Sequence, residues 1–316
     1  MKPFAFVFPG QGSQSVGMLD AWGDHPVVAA VVQESSEALG EDVGKLIKEG
    51  PKEALGLTTN TQPVMLVAGV AAYRAWLAET QDMGGAVPSV VAGHSLGEYS
   101  ALVASGVLSL RDAVQTVRLR AAAMQEAVPV GTGAMAAVLG MSAMDVIAIC
   151  ADVAGASGEI VEAVNFNDPA QTVIAGSKAG VEKASEALKA KGAKRCLPLP
   201  VSAPFHSSLM KPAAEKLKAH LESLSFHAPQ IPVVNNIDVA VETDATKIKD
   251  ALYRQAFGPV RWVECIAAIK GRGVNTVIEC GPGKVLSGMC KRIDAELVSG
   301  AVFDPASLAD AKTLLA

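Results

Sequence analysis

The sequence predicts an α/β protein in which a mainly parallel sheet, covered by helices on both faces, carries a smaller β-α-β-β-α-β unit set into it. Three observations predict this. Short apolar runs of strand length alternate with longer stretches of helical spacing along most of the chain. Residues 4–8 and 89–93 are apolar with no polar alternation, as strands covered on both faces are. Residues 134–199 keep a denser rhythm of their own, bounded by Pro129 and Gly131 on one side and Pro198 and Pro200 on the other.

The elements follow in order. Residues 4–8 form a buried strand that Pro9-Gly10 closes, and a turn rich in Gly and Gln runs through residue 14. Helical spacing marks 27–39 and 62–79, the second apolar nearly all round and therefore buried. Residues 81–86 connect to a second buried strand, 89–93, which runs into His94-Ser95-Leu96-Gly97 and a helix at 98–105. Ser109 caps a helix over 110–128. The small unit reads strand 134–140, helix 143–154, strand 160–166, turn 167–169, strand 172–176, helix 179–191 and strand 194–199. A polar loop over 202–208 leads to a helix at 209–224, a short strand at 232–235, helices at 245–257 and 260–270, a strand at 276–280, and a last helix from Lys284. No fixed-period repeat is present.

Composition narrows the function. The 316 residues are 50% apolar and 19% charged, which supplies ample core and argues against disorder. The net charge is −5, and no long Lys/Arg run provides the basic face of a nucleic-acid binder. Five cysteines, an odd number with no C-x-x-C pair, argue against a disulfide framework or a zinc site and for a reducing compartment. The apolar start is too short for a signal peptide, and no uninterrupted apolar stretch is long enough for a membrane span. A cytoplasmic protein with no membrane partner, metal or cofactor is expected.

Gly93-His94-Ser95-Leu96-Gly97 matches G-x-S-x-G between a buried strand and a helix, where a sharp turn lifts the central hydroxyl outward. The helix N-terminus behind it favours negative charge, and the Leu96 N–H is the expected oxyanion donor. A serine needs a base. Of five histidines, His94 adjoins Ser95 and diverges from it, His25 precedes a helix, and His220 and His227 lie on or beside a charged helix. His206, in a polar loop after an apolar strand, is the candidate base. No third triad member is obvious, because Asp and Glu between Ser95 and His206 fall mostly inside the small unit; a backbone carbonyl could orient the imidazole instead. Gly10-Gln11-Gly12 lacks the third glycine of a dinucleotide fingerprint because Ser15 stands there, and it suits a turn presenting the Gln11 N–H as a second oxyanion donor. Gly281-Pro282-Gly283-Lys284 lacks P-loop spacing and reads as a turn. Arg118 and Arg120 share one helix, and whichever points inward can grip a carboxylate.

Five segments in register resemble the malonyl-CoA:acyl carrier protein transacylases of type II fatty acid synthesis: Phe8-Pro9-Gly10-Gln11-Gly12-Ser13-Gln14, Gly93 to Tyr99, Gly131 to Met135, Ser202-Ala203-Pro204-Phe205-His206 and Val234-Asn235-Asn236. The resemblance runs from Phe4 to about Arg292. It implies an α/β-hydrolase-like large domain, residues 1–130 and 200–316, with a ferredoxin-like small domain inserted at 131–199 and the site between them. It implies a Ser95–His206 dyad, an oxyanion hole from Gln11 and Leu96, a substrate carboxylate on Arg120, and the Gln255 carbonyl orienting His206. It implies malonyl-CoA and acyl carrier protein as partners, no cofactor, and a bulky Phe205 that leaves no room for an α-methyl group. Asn165 and Asn167 are candidates to line the gap, and Lys191, Lys194, Arg195, Lys284, Lys291 and Arg292 to meet an acidic carrier. The same residues also admit a polyketide-pathway acyltransferase, an esterase or thioesterase with water as acceptor, and a non-catalytic protein that kept the fold.

Overall fold

The structure, a computed structural model, describes residues 2–201 and 203–316. Met1, and Ser202 of the polar loop that carries His206, lie outside these. The chain begins β1 (Phe4–Phe8), α1 (Pro26–Leu39), α2 (Val43–Glu49), α3 (Lys52–Gly56), α4 (Thr58–Glu79), β2 (Val90–Gly93), α5 (Gly97–Ala104), α6 (Leu110–Glu126). It continues β3 (Gly133–Leu139), α7 (Ala143–Ser157), β4 (Val161–Asp168), β5 (Gln171–Ser177), α8 (Lys178–Ala190), β6 (Arg195–Pro198). It ends α9 (Lys211–Glu222), β7 (Val233–Val234), α10 (Ala245–Gln255), α11 (Trp262–Gly271), β8 (Thr276–Cys280), α12 (Val285–Ile293), β9 (Val298–Val302), α13 (Pro305–Leu314).

Five strands form a parallel sheet in the order β7-β2-β1-β8-β9. β1 is central and all five of its residues are buried. Because strand side chains alternate, Phe4, Phe6 and Phe8 share one face and Ala5 and Val7 the other. The phenylalanines pack against α4, with the Phe6 and Trp76 ring centroids 5.3 Å apart and nearly perpendicular. The small side chains of Ala5 and Val7 face the layer of α11 and α12, where Trp262 and Ile266 fill the space. α4 is thus buried on nearly every side, as its sequence predicts.

The smaller sheet has the order β4-β5-β3-β6 and is antiparallel throughout. α7 and α8 cover it through Val146, Cys150, Val181, Ala184 and Leu188. The predicted β-α-β-β-α-β order is therefore observed. β4 also ties the small sheet to the segment between α10 and α11. The Val260 N–H donates to the Val164 carbonyl at 2.8 Å, and the Phe166 N–H donates to the Val260 carbonyl at 2.9 Å. Two residues on, Arg292 Nε donates to Asp168 Oδ2 at 2.7 Å.

The structure departs from the sequence expectation in a few places. Asn167 and Asp168 end β4, where a turn was expected. A register irregularity beside Phe166 admits them, and Asp168 Oδ1 accepts from the Ala170 N–H at 2.9 Å to make the turn one step later. α2 and α3 are too short to carry a helical period. β9 is masked by Ser299 and Gly300, and α13 lay beyond the last expected helix. No helix among the described residues is long and apolar enough to cross a membrane. All five cysteines are buried and free.

The passage from β2 into α5 is the tightest backbone approach at the sheet edge. A Cβ on Gly93 would stand 1.9 Å from the Gly97 carbonyl carbon, and one on Gly97 would stand 2.1 Å from the Phe8 carbonyl oxygen. Backbone on both sides cannot step aside. We expect Gly93→Ala to lower the free energy of unfolding by about 2 kcal/mol or more. Urea denaturation followed by circular dichroism measures it, and an unshifted midpoint would refute the close-approach argument.

Candidate active site

Ser95 stands at that turn with φ 54°, a left-handed conformation costly for a residue with a Cβ. Neighbouring amides hold it there. The Ser95 N–H donates to Asn236 Oδ1 at 2.8 Å, and the Ser95 carbonyl accepts from Gln255 Nε2 at 2.9 Å. Asn236 Nδ2 donates in turn to the Gly93 carbonyl at 2.7 Å. His206 is also left-handed, with φ 66°, and the structure brings it to the serine: Ser95 Oγ and His206 Nε2 are 2.7 Å apart.

His206 Nδ1 lies 2.8 Å from the Gln255 carbonyl oxygen. A carbonyl only accepts, so the neutral ring carries its hydrogen on Nδ1 and presents a bare Nε2 to the hydroxyl. Burial, joined by the positive charge of Arg120 and opposed by the Gln255 carbonyl, pulls the His206 pKa down to about 3. The ring is neutral at physiological pH and able to accept a proton.

Arg120 is the inward arginine, only 2% exposed. It donates to Gln62 Oε1 at 2.8 Å, Gln255 Oε1 at 3.1 Å and Ser95 Oγ at 3.2 Å. The Tyr99 ring centroid lies 5.7 Å from its guanidinium carbon. Arg118 faces outward to Glu41. A pocket opens over these groups, lined by Gln11, Leu96, Ser95, Arg120 and His206 together with the apolar side chains of Met135, Leu199, Val201 and Phe205. Neither the Gln11 nor the Leu96 N–H is bonded within the described residues. Ser95, His206, Gln11, Leu96, Arg120 and Gln255 are therefore gathered in one place. Asn165 lines the pocket as well. Asn167 does not; its Oδ1 instead meets Nε2 of the half-buried His94, itself a lining residue, at 2.8 Å.

Three participants in the network had not been singled out. Gln62 and Asn236 supply amides from α4 and from the loop after β7. Glu98, one helical turn beyond Ser95, is 2% exposed, and its Oε2 accepts from the Asn236 N–H at 2.9 Å and Gln255 Nε2 at 3.1 Å. Burial pushes its carboxyl up to about 7 against those hydrogen bonds and the charge of Arg120. The signal the sequence carries for it is a carboxylate three residues beyond the elbow serine, in a helix with no other charged side chain.

The sequence matches the acyl transferase domain family over residues 5–295. It is 51% identical to a malonyl CoA-acyl carrier protein transacylase of Salmonella typhimurium, over 99% of this chain and 100% of that one. Its fold matches an acyl-carrier-protein S-malonyltransferase of Burkholderia pseudomallei with TM-score 0.95 and 64% identity, covering 99% of this chain and 100% of that one. It matches with TM-score 0.94 and 51% identity a malonyl-transacylase solved in complex with its type II polyketide acyl-carrier protein, covering 98% and 99% of the two chains.

The depressed pKa of His206 has a stability consequence. Between pH 6.5, where an unfolded histidine takes a proton, and about 3, where the folded one does, the unfolded state binds more protons. Acidification through that window therefore destabilises the fold. A His206→Gln variant lacks this liability, so its stability relative to wild type should rise by up to about 1.4 kcal/mol per pH unit below 6. Urea titrations at several pH values measure the gap, and a constant gap would mean that His206 protonates in the folded protein.

Proposed function

The chain belongs to the acyl transferase domain family and, within it, to the malonyl CoA-acyl carrier protein transacylases; from that premise we propose that it moves a malonyl group from coenzyme A to the phosphopantetheine thiol of acyl carrier protein through an ester on Ser95. One observation carries the reading: a buried arginine lies beside the hydroxyl of a base-paired serine in a single pocket. A hydrolase of simple esters has no use for that charge.

The geometry performs the reaction in two like halves. Ser95 Oγ attacks the thioester carbonyl while His206 Nε2 takes its proton. The Gln255 carbonyl, already on Nδ1–H, stabilises the imidazolium that forms. Charge developing on the thioester oxygen is met by the N–H groups of Leu96, at the start of α5, and of Gln11, in the turn after β1. The intermediate collapses, His206 returns the proton to the departing sulfur, and coenzyme A leaves. The carrier thiol then runs the same steps in reverse on the malonyl ester. Arg120 takes the malonyl carboxylate, exchanging its contacts with neutral oxygens for a charge-assisted pair. Phe205 narrows the pocket beside His206 and disfavours a branched acyl group.

The large parallel sheet with its helices is read as an α/β-hydrolase-like domain, residues 1–130 and 200–316, and the antiparallel unit, 131–199, as a ferredoxin-like insertion. The pocket takes residues from both. The reducing environment that five buried free cysteines suit is the cytoplasm. For the carrier we propose one end of the small sheet. Pairing sets Arg195 opposite Leu139, Leu139 opposite Gln171, and Gln171 opposite Asp168, which binds Arg292. Lys191, Lys194 and Arg195 thus flank one edge and Lys291 and Arg292 the other, about 14 Å apart by strand spacing. Lys284, over the Phe303 ring, begins the same helix as Lys291.

Intact-mass analysis after mixing with malonyl-CoA should show one malonyl adduct, absent in Ser95→Ala; a bare wild type would sink the transferase reading, and rapid free malonate without a thiol acceptor would favour a hydrolase. Arg120→Ala should depress malonyl loading relative to acetyl by a factor of about 30 or more, the loss of a buried charge-assisted pair. An unchanged ratio would remove Arg120 from the carboxylate site. Transfer to the carrier should slow with added salt, and a flat response would exclude electrostatic docking.

A further inference from the structure

We propose that Glu98 is the standing counter-charge of Arg120, and that it takes a proton from solvent when a malonyl carboxylate reaches that guanidinium; this rests on the malonyl reading above. The direct acceptors of Arg120 are all neutral: Gln62 Oε1, Gln255 Oε1 and Ser95 Oγ. A buried cation with only neutral acceptors leaves its charge uncompensated. The Gln255 amide carries the compensation inward. Its Oε1 accepts from Arg120 at 3.1 Å while its Nε2 donates to Glu98 Oε2 at 3.1 Å, so one planar group spans both charges. Glu98 acting as acceptor for this amide and for the Asn236 N–H also fixes which way the Gln255 amide faces.

The groups around Glu98 make it the one to yield. Arg120 from α6 is the cation facing it. Tyr99 on its own helix, Asp238 in the loop after β7 and Cys265 on α11 are neutral or negative neighbours, and His206 beyond Gln255 is neutral. In the substrate-free protein burial already holds the Glu98 carboxyl at about 7. A second anion on the same arginine raises it further, because like charges in one buried cluster disfavour joint ionisation. Glu98 also borders a cavity of its own. A small cavity lined by Glu98, Leu102, Ile248 and Glu242 shares no lining residue with the substrate pocket, and the Glu242 side chain is 28% exposed.

The covalent step balances without this proton. The Ser95 hydroxyl and the malonyl thioester give a malonyl ester and the thiol of coenzyme A, and the serine proton travels through His206 to the sulfur. The proton on Glu98 is additional, taken up on loading and released when malonyl leaves with the carrier. An acetyl group brings no carboxylate and calls for none.

A pH-indicator dye in weakly buffered solution reads proton uptake per ester, with the ester counted by intact mass. Near pH 7.5 to 8, malonyl-CoA should draw up to one proton per ester more than acetyl-CoA, and the excess should fade toward pH 5.5. Glu98→Gln should abolish the excess per ester formed. Equal uptake with both acyl donors, or an excess that persists in Glu98→Gln, would overturn the proposal. Should that variant fail to fold, the malonyl–acetyl difference in wild type and its loss at low pH still decide. Absence of any malonyl ester would instead strike the transferase reading beneath it.

Discussion

The left-handed backbone at Ser95 is the constraint on which the rest of the site depends. Three residues other than glycine adopt positive φ among those described: Ser95, His206 and Val239. Ser95 and His206 face each other, and Val239 shapes the loop that delivers Asn236. Such conformations persist only when surrounding structure over-determines them. Here the surroundings are amides and glycines. Gly93 and Gly97 let the backbone pass close by, while Asn236 and Gln255 hold both peptide groups of Ser95. The hydroxyl is thereby presented to His206 at hydrogen-bond distance without any side-chain adjustment.

The second organising fact is a division of electrostatic labour. A Ser-His-Asp arrangement would place a carboxylate on the imidazole. Here the imidazole bonds a neutral carbonyl, and the charged group beside the serine hydroxyl is a cation. Arg120 discourages His206 from protonating before substrate arrives and attracts a carboxylate where one can be useful. Gln255 serves both, its main-chain oxygen orienting the base and its side-chain oxygen accepting from the arginine. A single residue at the end of α10 thus sets the positions of base and cation together.

Much of this was legible in the sequence, and the limits have physical causes. The elbow could be read because it is local: a buried strand, two glycines and a helix within a dozen residues. The small unit could be read because each of its strands and helices is long enough to show its period. Arg120 continues the 113, 117, 120, 124 spacing of the buried stripe and Arg118 lies off it, yet a charged side chain on an apolar stripe does not by itself announce a pocket; the structure turns Arg118 to Glu41 and Arg120 to the pocket. Glu98 escaped notice because its partners, Asn236 and Gln255, lie far along the chain. β9 and α13 escaped because a strand containing Ser299 and Gly300 has little apolar signature, although the sheet edge needs it.

The order of strands in the parallel sheet sets a timetable for synthesis. β1 leaves the ribosome before both of its neighbours in the sheet, β2 and, much later, β8. Until then one edge of an apolar strand carrying three phenylalanines has no partner. The nucleophile and its base can meet only after Gln255 has been made. A nascent chain of this topology must shelter the open edge of β1 until β8 has emerged, so products truncated before β8 are the forms most exposed to aggregation and dependent on chaperones.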